Sequence, residues 1–381
     1  MSTTYQNNSQ LLAIPEPSEG CVVIAGGGTG GHIFPAIAIA NAIKKLQPAI
    51  SILFIGAKDK MEMEKVPQAG YYIKGLTIAG FNRTSLLKNI GLPFKLIASF
   101  FQVQSIFKKY KPVAVIGVGG YSSFPVLRLA QAKGIPTFIH ESNSFAGKSN
   151  IALGKNATKI FVATEGMEKF FPSSKIIVSG NPVRSVIVES KIDKAIAASF
   201  FGLESTKPII LIIGGSLGAK SINDAIGNHL QQFQDKKIQL IWQTGKANAK
   251  HYQNLATEKY GVWIGEFITQ MEMAYAAADV VISRAGAMAV TELCVVGKPT
   301  IFVPYPFAAE DHQTANALAL VNKDAAILVK DNNANIMLPN KSIELCMDVT
   351  MQQTLKKNIQ SFAKTNADEL IAKTILQLIQ A

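Results

Sequence analysis

Short apolar runs alternate with amphipathic, helix-like stretches along the whole chain, and this alternation constrains the fold more than any other feature. Eleven runs have strand character: "CVVIAG", "ISILFIG", "VAVIGVG", "PTFIH", "KIFVA" and "KIIVSG" in the first half, then "PIILIIGG", "IQLIWQ", "VWIG", "DVVISR" and "TIFVP" in the second. Near-continuous apolar strands separated by helices are the pattern of parallel βαβ units buried on both faces, not of a sandwich or a bundle. A chain of 381 residues also exceeds the usual single core of roughly 100 to 200 residues. Two domains, each with its own sheet and with a cleft between them, are expected.

The two halves echo one another. "VVIAGGGTGG" opens the first and "ILIIGGSLGA" the second, and "VAVIGVGGYSSFP" is matched later by "DVVISRAGAMAVTE". The expected division is a loose tail at 1–20, an N-terminal domain at 21–184, a C-terminal domain at 185–360 and a terminal helix at 361–381 packing back on the N-terminal domain. "SVIVESKIDKAIAASFFGLESTK" reads as the linking helix and loop, and the last twenty residues have the periodicity of an amphipathic helix.

A strand running into a glycine-rich turn and a helix N-terminus suits an anion, because missing β-carbons let a phosphate or sugar approach backbone N–H groups and the helix dipole favours negative charge. Gly26, Gly28 and Gly31 also fit the spacing of a dinucleotide-binding turn, but that site wants an acid closing the next strand, where Gly56, Ala57 and Lys58 stand. Tight turns alone could account for any one of "GGGTGGH", "GVGGYSSFP", "GGSLGA" and "SRAGAMAVTE"; all four lie where an open α/β sheet binds ligands. His32 follows the first turn and His140–Glu141 closes the strand "PTFIH", so His32 and Glu141 are the candidate bases for proton transfer. No Cys or His pair has metal-ligand spacing, so neither a metal nor another cofactor is expected, and Cys21, Cys294 and Cys346 read as reduced core thiols.

The formal charge is +12, and it is concentrated. Between Val66 and His140 there is no Asp or Glu, but there are nine Lys and Arg residues. Within this region Leu96, Phe100, Val103 and Phe107 form the stripe that seats a helix on its sheet. Leu86, Leu87, Lys88, Ile90, Lys95, Ile97, Phe101 and Lys108 compose a second face, apolar and ringed by lysines. Such a face suits an anionic membrane surface, whereas nucleic acid calls for polar and stacking groups among the cations. No run is long enough to span a bilayer and the N-terminus lacks the pattern of a signal peptide, so a cytoplasmic, peripheral location is expected.

Taken in order, "GGGTGGHIFPAIAIA", "GVGGYSSFPV", "HESNSFAGKSN", "SGNPVR", "GGSLGAKSIN", "SRAGAMAVTEL" and "GKPTIFVPYPFAAEDHQTANA" resemble the motifs of the bacterial MurG family across residues 20 to 375. The resemblance implies a GT-B fold, with two doubly wound Rossmann-like domains whose parallel sheets face a cleft. It implies an inverting, metal-independent transfer from UDP-N-acetylglucosamine to the C4 hydroxyl of the muramoyl sugar of lipid I, giving lipid II at the cytoplasmic side of the inner membrane. Donor contacts are implied at Thr29, Gly30, Gly31, Asn143, Arg184, Ser216, Ile268, Ala287, Met288, Ala289, Val290, Thr291, Glu292 and Gln313. The acceptor diphosphate would suit Gly27, Gly28, Gly119, Gly120 and Tyr121. Other cell-wall synthesis proteins are possible partners on the same implication, and nucleic acid is not one. The family often has Gln where this chain has Ser142 and Leu217, so those two positions are left out of the site. A UDP-sugar epimerase or other GT-B enzyme, a Rossmann oxidoreductase and a non-catalytic lipid-carrier module are the rival readings.

Overall fold

A computed structural model describes residues 21–80, 91–215, 217–247, 249–256, 261–308 and 311–380. The expected tail at 1–20 lies outside them. The chain forms two compact units. The first gathers the chain up to Ser142, then Ala146–Pro182 and Asp368 onward; the second holds Asn143–Phe145 and Val183–Ala367.

Among the described residues the first unit contains seven strands: β1 (Cys21–Ala25), β2 (Ser51–Ala57), β3 (Tyr72–Leu76), β4 (Pro112–Gly117), β5 (Thr137–Glu141), β6 (Lys159–Val162) and β7 (Ile176–Val178). The second contains six: β8 (Ile209–Ile213), β9 (Gln239–Gln243), β10 (Val262–Gly265), β11 (Val280–Ser283), β12 (Thr300–Phe302) and β13 (Ile327–Leu328). All their pairings among the described residues are parallel, in the orders 3-2-1-4-5-6-7 and 10-9-8-11-12-13. Each order runs outward in both directions from its first strand. The sequence echo is therefore a topological one: β1 and β8 are the starting strands, and β4 and β11 lie across the reversal from them. In such sheets ligands bind where the order reverses, and the paired glycine-rich turns follow these four strands.

Side-chain alternation explains why helices must cover both faces of each sheet. Cys21, Val23 and Ala25 enter one core while Val22 and Ile24 enter another. Likewise Ile209, Leu211 and Ile213 face one core of the second unit, and Ile210 and Ile212 face its other core. The helix Ala367–Gln380 inserts Ile371, Ala372, Ile375 and Leu376 into the core beneath Val22 and Ile24.

The segment after Arg184, expected as a linking helix and loop, forms two helices, Ser185–Val188 and Lys194–Phe200, which bury Ile187, Ala197 and Ala198 in the second unit's core. The strands β3 and β13 escaped the sequence reading because they are half-buried edge strands. Lys74 and Gly75 interrupt the first, and the second is only two residues long.

Candidate functional site

In the first unit β1 ends at Ala25 and the chain turns through three glycines before Thr29 begins the helix Gly30–Leu46. Gly27 must be glycine for two reasons. Its φ is 145°, and a Cβ there would lie 2.3 Å from the carboxyl carbon of Glu62. The turn after β4 packs on this one, with Gly120 at φ 86° and its missing Cβ 2.5 Å from the Gly27 carbonyl oxygen. Much of the glycine demand thus comes from packing the two turns and Glu62 together.

His32 lies in the first turn of the helix, half-buried, with Nδ1 3.1 Å from the Gly27 carbonyl oxygen. A carbonyl oxygen only accepts, so Nδ1 carries the proton and Nε2 presents a lone pair. Withdrawal from water lowers the ring's pKa below the ordinary 6.5, and the Gly27 bond and the charges of Glu141 and Glu62 oppose that shift. The imidazole is consequently neutral at pH 7 with its basic atom defined. Gly119 sits against that atom, since a Cβ there would be 2.7 Å from Nε2.

Glu141 has another environment. It is 4% exposed, and its Oε2 accepts hydrogen bonds from the Gly147 N–H at 3.0 Å and the Asn150 amide at 2.9 Å. These bonds pin the loop after β5 to the start of the helix Lys148–Gly154. His140, one residue earlier, is fully buried, and burial pushes its pKa down to about 4.

The expected diphosphate contacts at Gly27 and Gly28 meet prior partners. The Gly27 N–H donates to the Gly119 carbonyl at 3.3 Å and the Gly28 N–H to Glu62 Oε2 at 2.8 Å. Neither N–H is thus directed at a ligand, because a carboxylate of the chain already fills one anion position. Gly119, Gly120 and Tyr121 stand on the facing turn, while Thr29, Gly30 and Gly31 form the helix N-terminus.

In the second unit the helix Ala287–Val296 starts after β11 and carries Ala287, Met288, Ala289, Val290, Thr291 and Glu292. Glu292 is 7% exposed and takes two partners: Arg184 Nη2 donates to Oε1 at 3.2 Å and the Tyr275 hydroxyl donates to Oε2 at 3.0 Å. Burial, reinforced by Glu292, holds the Tyr275 phenol well above its ordinary pKa, so it remains a donor. The Ile268 N–H donates to Gln243 Oε1 at 2.9 Å, while Gln243 Nε2 donates to the Gly215 carbonyl at 3.0 Å. Ile268 is therefore tied to the turn after β8, and its N–H is already satisfied. Gln313 Oε1 accepts from the Tyr305 N–H at 3.0 Å. Asn143, with Ser144 and Phe145, clusters with this unit although the chain on either side, up to Ser142 and from Ala146, belongs to the first. Ser216 lies outside the described residues.

Glu62, Gln243 and Tyr275 were not anticipated. Gln243 had a signal, since it is a polar residue closing the apolar run of β9. Glu62 had a weaker one: the acid absent from the end of β2 is supplied five residues later by the following helix.

The basic, apolar face is carried by the helix Leu92–Tyr110. Phe94, Ile97 and Phe101 are 74%, 55% and 73% exposed, whereas Val103 and Phe107 are buried. Lys95 and Lys108 are exposed on the same helix; Leu86, Leu87, Lys88 and Ile90 lie outside the described residues. No described helix is long and apolar enough to cross a membrane.

Comparison with known proteins agrees with this division. Residues 22–162 match the glycosyltransferase family 28 N-terminal domain, and residues 209–375 match its C-terminal domain. A Cytophaga hutchinsonii protein named UDP-N-acetylglucosamine–N-acetylmuramyl-(pentapeptide) pyrophosphoryl-undecaprenol N-acetylglucosamine transferase is 49% identical, covering 96% of this chain and 99% of that one. Among solved structures, Acinetobacter baumannii MurG aligns with a TM-score of 0.71 and 29% identity over 94% of this chain and 99% of its own. A Neisseria meningitidis UDP-GlcNAc 2-epimerase bound to UDP-GlcNAc aligns with a TM-score of 0.66 over 94% of this chain and 100% of its own, but at 16% identity that likeness is one of fold. Two parallel-sheet units, matching domain models on both and close identity over nearly the full length place this chain in the MurG family of GT-B glycosyltransferases.

Proposed function

We propose that this chain transfers N-acetylglucosamine from UDP-N-acetylglucosamine to the C4 hydroxyl of the muramoyl sugar of an undecaprenyl-diphosphate-linked pentapeptide. The observation that carries the chemistry is His32, neutral at pH 7 with its Nδ1 proton held by Gly27 and its Nε2 available as a base. In this mechanism Nε2 takes the proton of the C4 hydroxyl as that oxygen attacks the anomeric carbon opposite UDP, inverting it to a β1,4 link. The C1–O bond to the diphosphate breaks, and UDP leaves with the bonding pair. Glu141 supports the reaction by holding the loop after β5, its carboxylate being occupied by Gly147 and Asn150.

The donor is assigned to the second unit. Glu292 keeps lone pairs for the ribose hydroxyls while Arg184 and Tyr275 fix its orientation. The N-terminus of the helix Ala287–Val296 and the turn holding Ser216 favour the diphosphate. Ile268, Gln313, Asn143 and the helix-start residues Thr29, Gly30 and Gly31 complete the donor set. Gly119, Gly120 and Tyr121 are assigned to the acceptor diphosphate, whereas the N–H groups of Gly27 and Gly28 are held by Gly119 and Glu62. The exposed face of Phe94, Ile97 and Phe101 with its lysines is assigned to the cytoplasmic surface of an anionic membrane, where such an acceptor resides.

The test is UDP release from UDP-N-acetylglucosamine with and without a lipid I analogue. Release that needs the acceptor and persists in EDTA is expected. Formation of UDP-N-acetylmannosamine without acceptor would establish the epimerase reading instead, and consumption of neither substrate would leave a binding module.

A further inference from the structure

We infer that Glu62 completes a relay with His32 through a single peptide group and sets the basicity of that histidine; this rests on His32 being the base. The peptide between Gly27 and Gly28 is engaged at both ends. Its carbonyl oxygen accepts from His32 Nδ1–H at 3.1 Å, and its N–H donates to Glu62 Oε2 at 2.8 Å. A carboxylate thus faces the imidazole as in a serine hydrolase triad, with one amide interposed. Chains of hydrogen bonds polarise one another, so a carboxylate on the N–H makes the carbonyl a stronger acceptor for Nδ1–H and stabilises the imidazolium formed at Nε2.

Three observations mark Glu62 as built for this position. It is 1% exposed, although it begins a short surface helix among charged neighbours. Its other oxygen, Oε1, accepts from the Ala57 N–H at 2.9 Å, so the side chain is fixed from the end of β2. Gly27 and Gly56 both leave room for it, their missing Cβ atoms lying 2.3 Å from its carboxyl carbon and 2.5 Å from its Cγ. The other titratable groups facing the pair are Glu141, whose charge also supports the imidazolium, His140, which couples to His32, and Tyr121, which Glu62 influences. Glu62 is a positioning residue, since it acts on the reacting atoms only through His32.

The experiment compares wild type, Glu62→Gln and Glu62→Asp, following the His32 imidazole by NMR titration alongside the pH dependence of kcat/KM. In Glu62→Gln the His32 pKa should fall further, the acid limb of the rate profile should move to lower pH, and the plateau should drop about 10- to 100-fold, by analogy with the loss of carboxylate partners behind metal-ligating histidines. The donor KM should hold. Glu62→Asp, which keeps the charge, should recover part of each change. An unchanged His32 pKa and tautomer in a folded Glu62→Gln protein would overturn the relay. A shifted imidazole pKa with an unmoved acid limb would sustain the relay and overturn the assignment of His32 as base.

Discussion

At the scale of single residues, the two histidines near the first turn are neutral for different purposes. His32 exposes a basic atom, so His32→Ala should lower kcat about 10²- to 10⁴-fold, the contribution of a positioned base, with the donor KM little changed. Steady-state kinetics on the purified variant decides this, and near-normal turnover would sink the assignment. His140 is fully buried and titrates at about 4 instead of 6.5. The unfolded chain therefore takes up a proton as pH falls through 6.5 while the folded chain does not until about 4. Stability from this group is complete above that window and is lost as pH falls through it, by about 3 kcal/mol for a shift of this size. His140→Asn should flatten that loss, as measured by urea unfolding at pH 7.5 and 4.5. An equal acid loss in both proteins would place the sensitivity elsewhere.

At the scale of elements, the helix Leu92–Tyr110 shows how one segment meets two demands. Val103, Phe107 and Tyr110 bind it to the sheet, while Phe94, Ile97 and Phe101 stay exposed beside Lys95 and Lys108. At about 1 kcal/mol per basic residue near an anionic leaflet, Lys95→Glu with Lys108→Glu should weaken sedimentation with anionic vesicles at least about 30-fold, leaving neutral vesicles unaffected. Unchanged co-sedimentation would remove this helix from the membrane-facing surface. The exposed stripe was legible because helical periodicity assigns Ile97 and Phe101 to a different face from Val103. The parallel sheets and their glycine turns were legible for a similar reason, since buried strands leave uninterrupted apolar runs. The edge strands left none, and hydrogen-bond assignments were harder still. Gly28 reads as an anion contact in sequence, whereas its N–H is taken by Glu62 from another segment. Such tertiary partners leave no local pattern, and Arg184 with Glu292 is a pair separated by 108 positions.

At the scale of the whole molecule, the first unit is not continuous in sequence. Its core beneath β1 is completed by Ile371, Ala372, Ile375 and Leu376 from the final helix. Ile375 is fully buried, so Ile375→Ala should cost the first unit about 2–5 kcal/mol while the second unit's unfolding transition stays in place. Differential scanning calorimetry distinguishes the two transitions, and an effect confined to the second would contradict the core assignment. The same arrangement orders events during synthesis. The described strands and helices of the second unit are all made by Gln360, whereas the first, begun earlier, keeps an apolar face of its sheet open until the helix Ala367–Gln380 has left the ribosome. The unit bearing His32 is thus begun first and closed only by the helix Ala367–Gln380, and a chain cut before that helix would leave its core open even with every assigned site residue present.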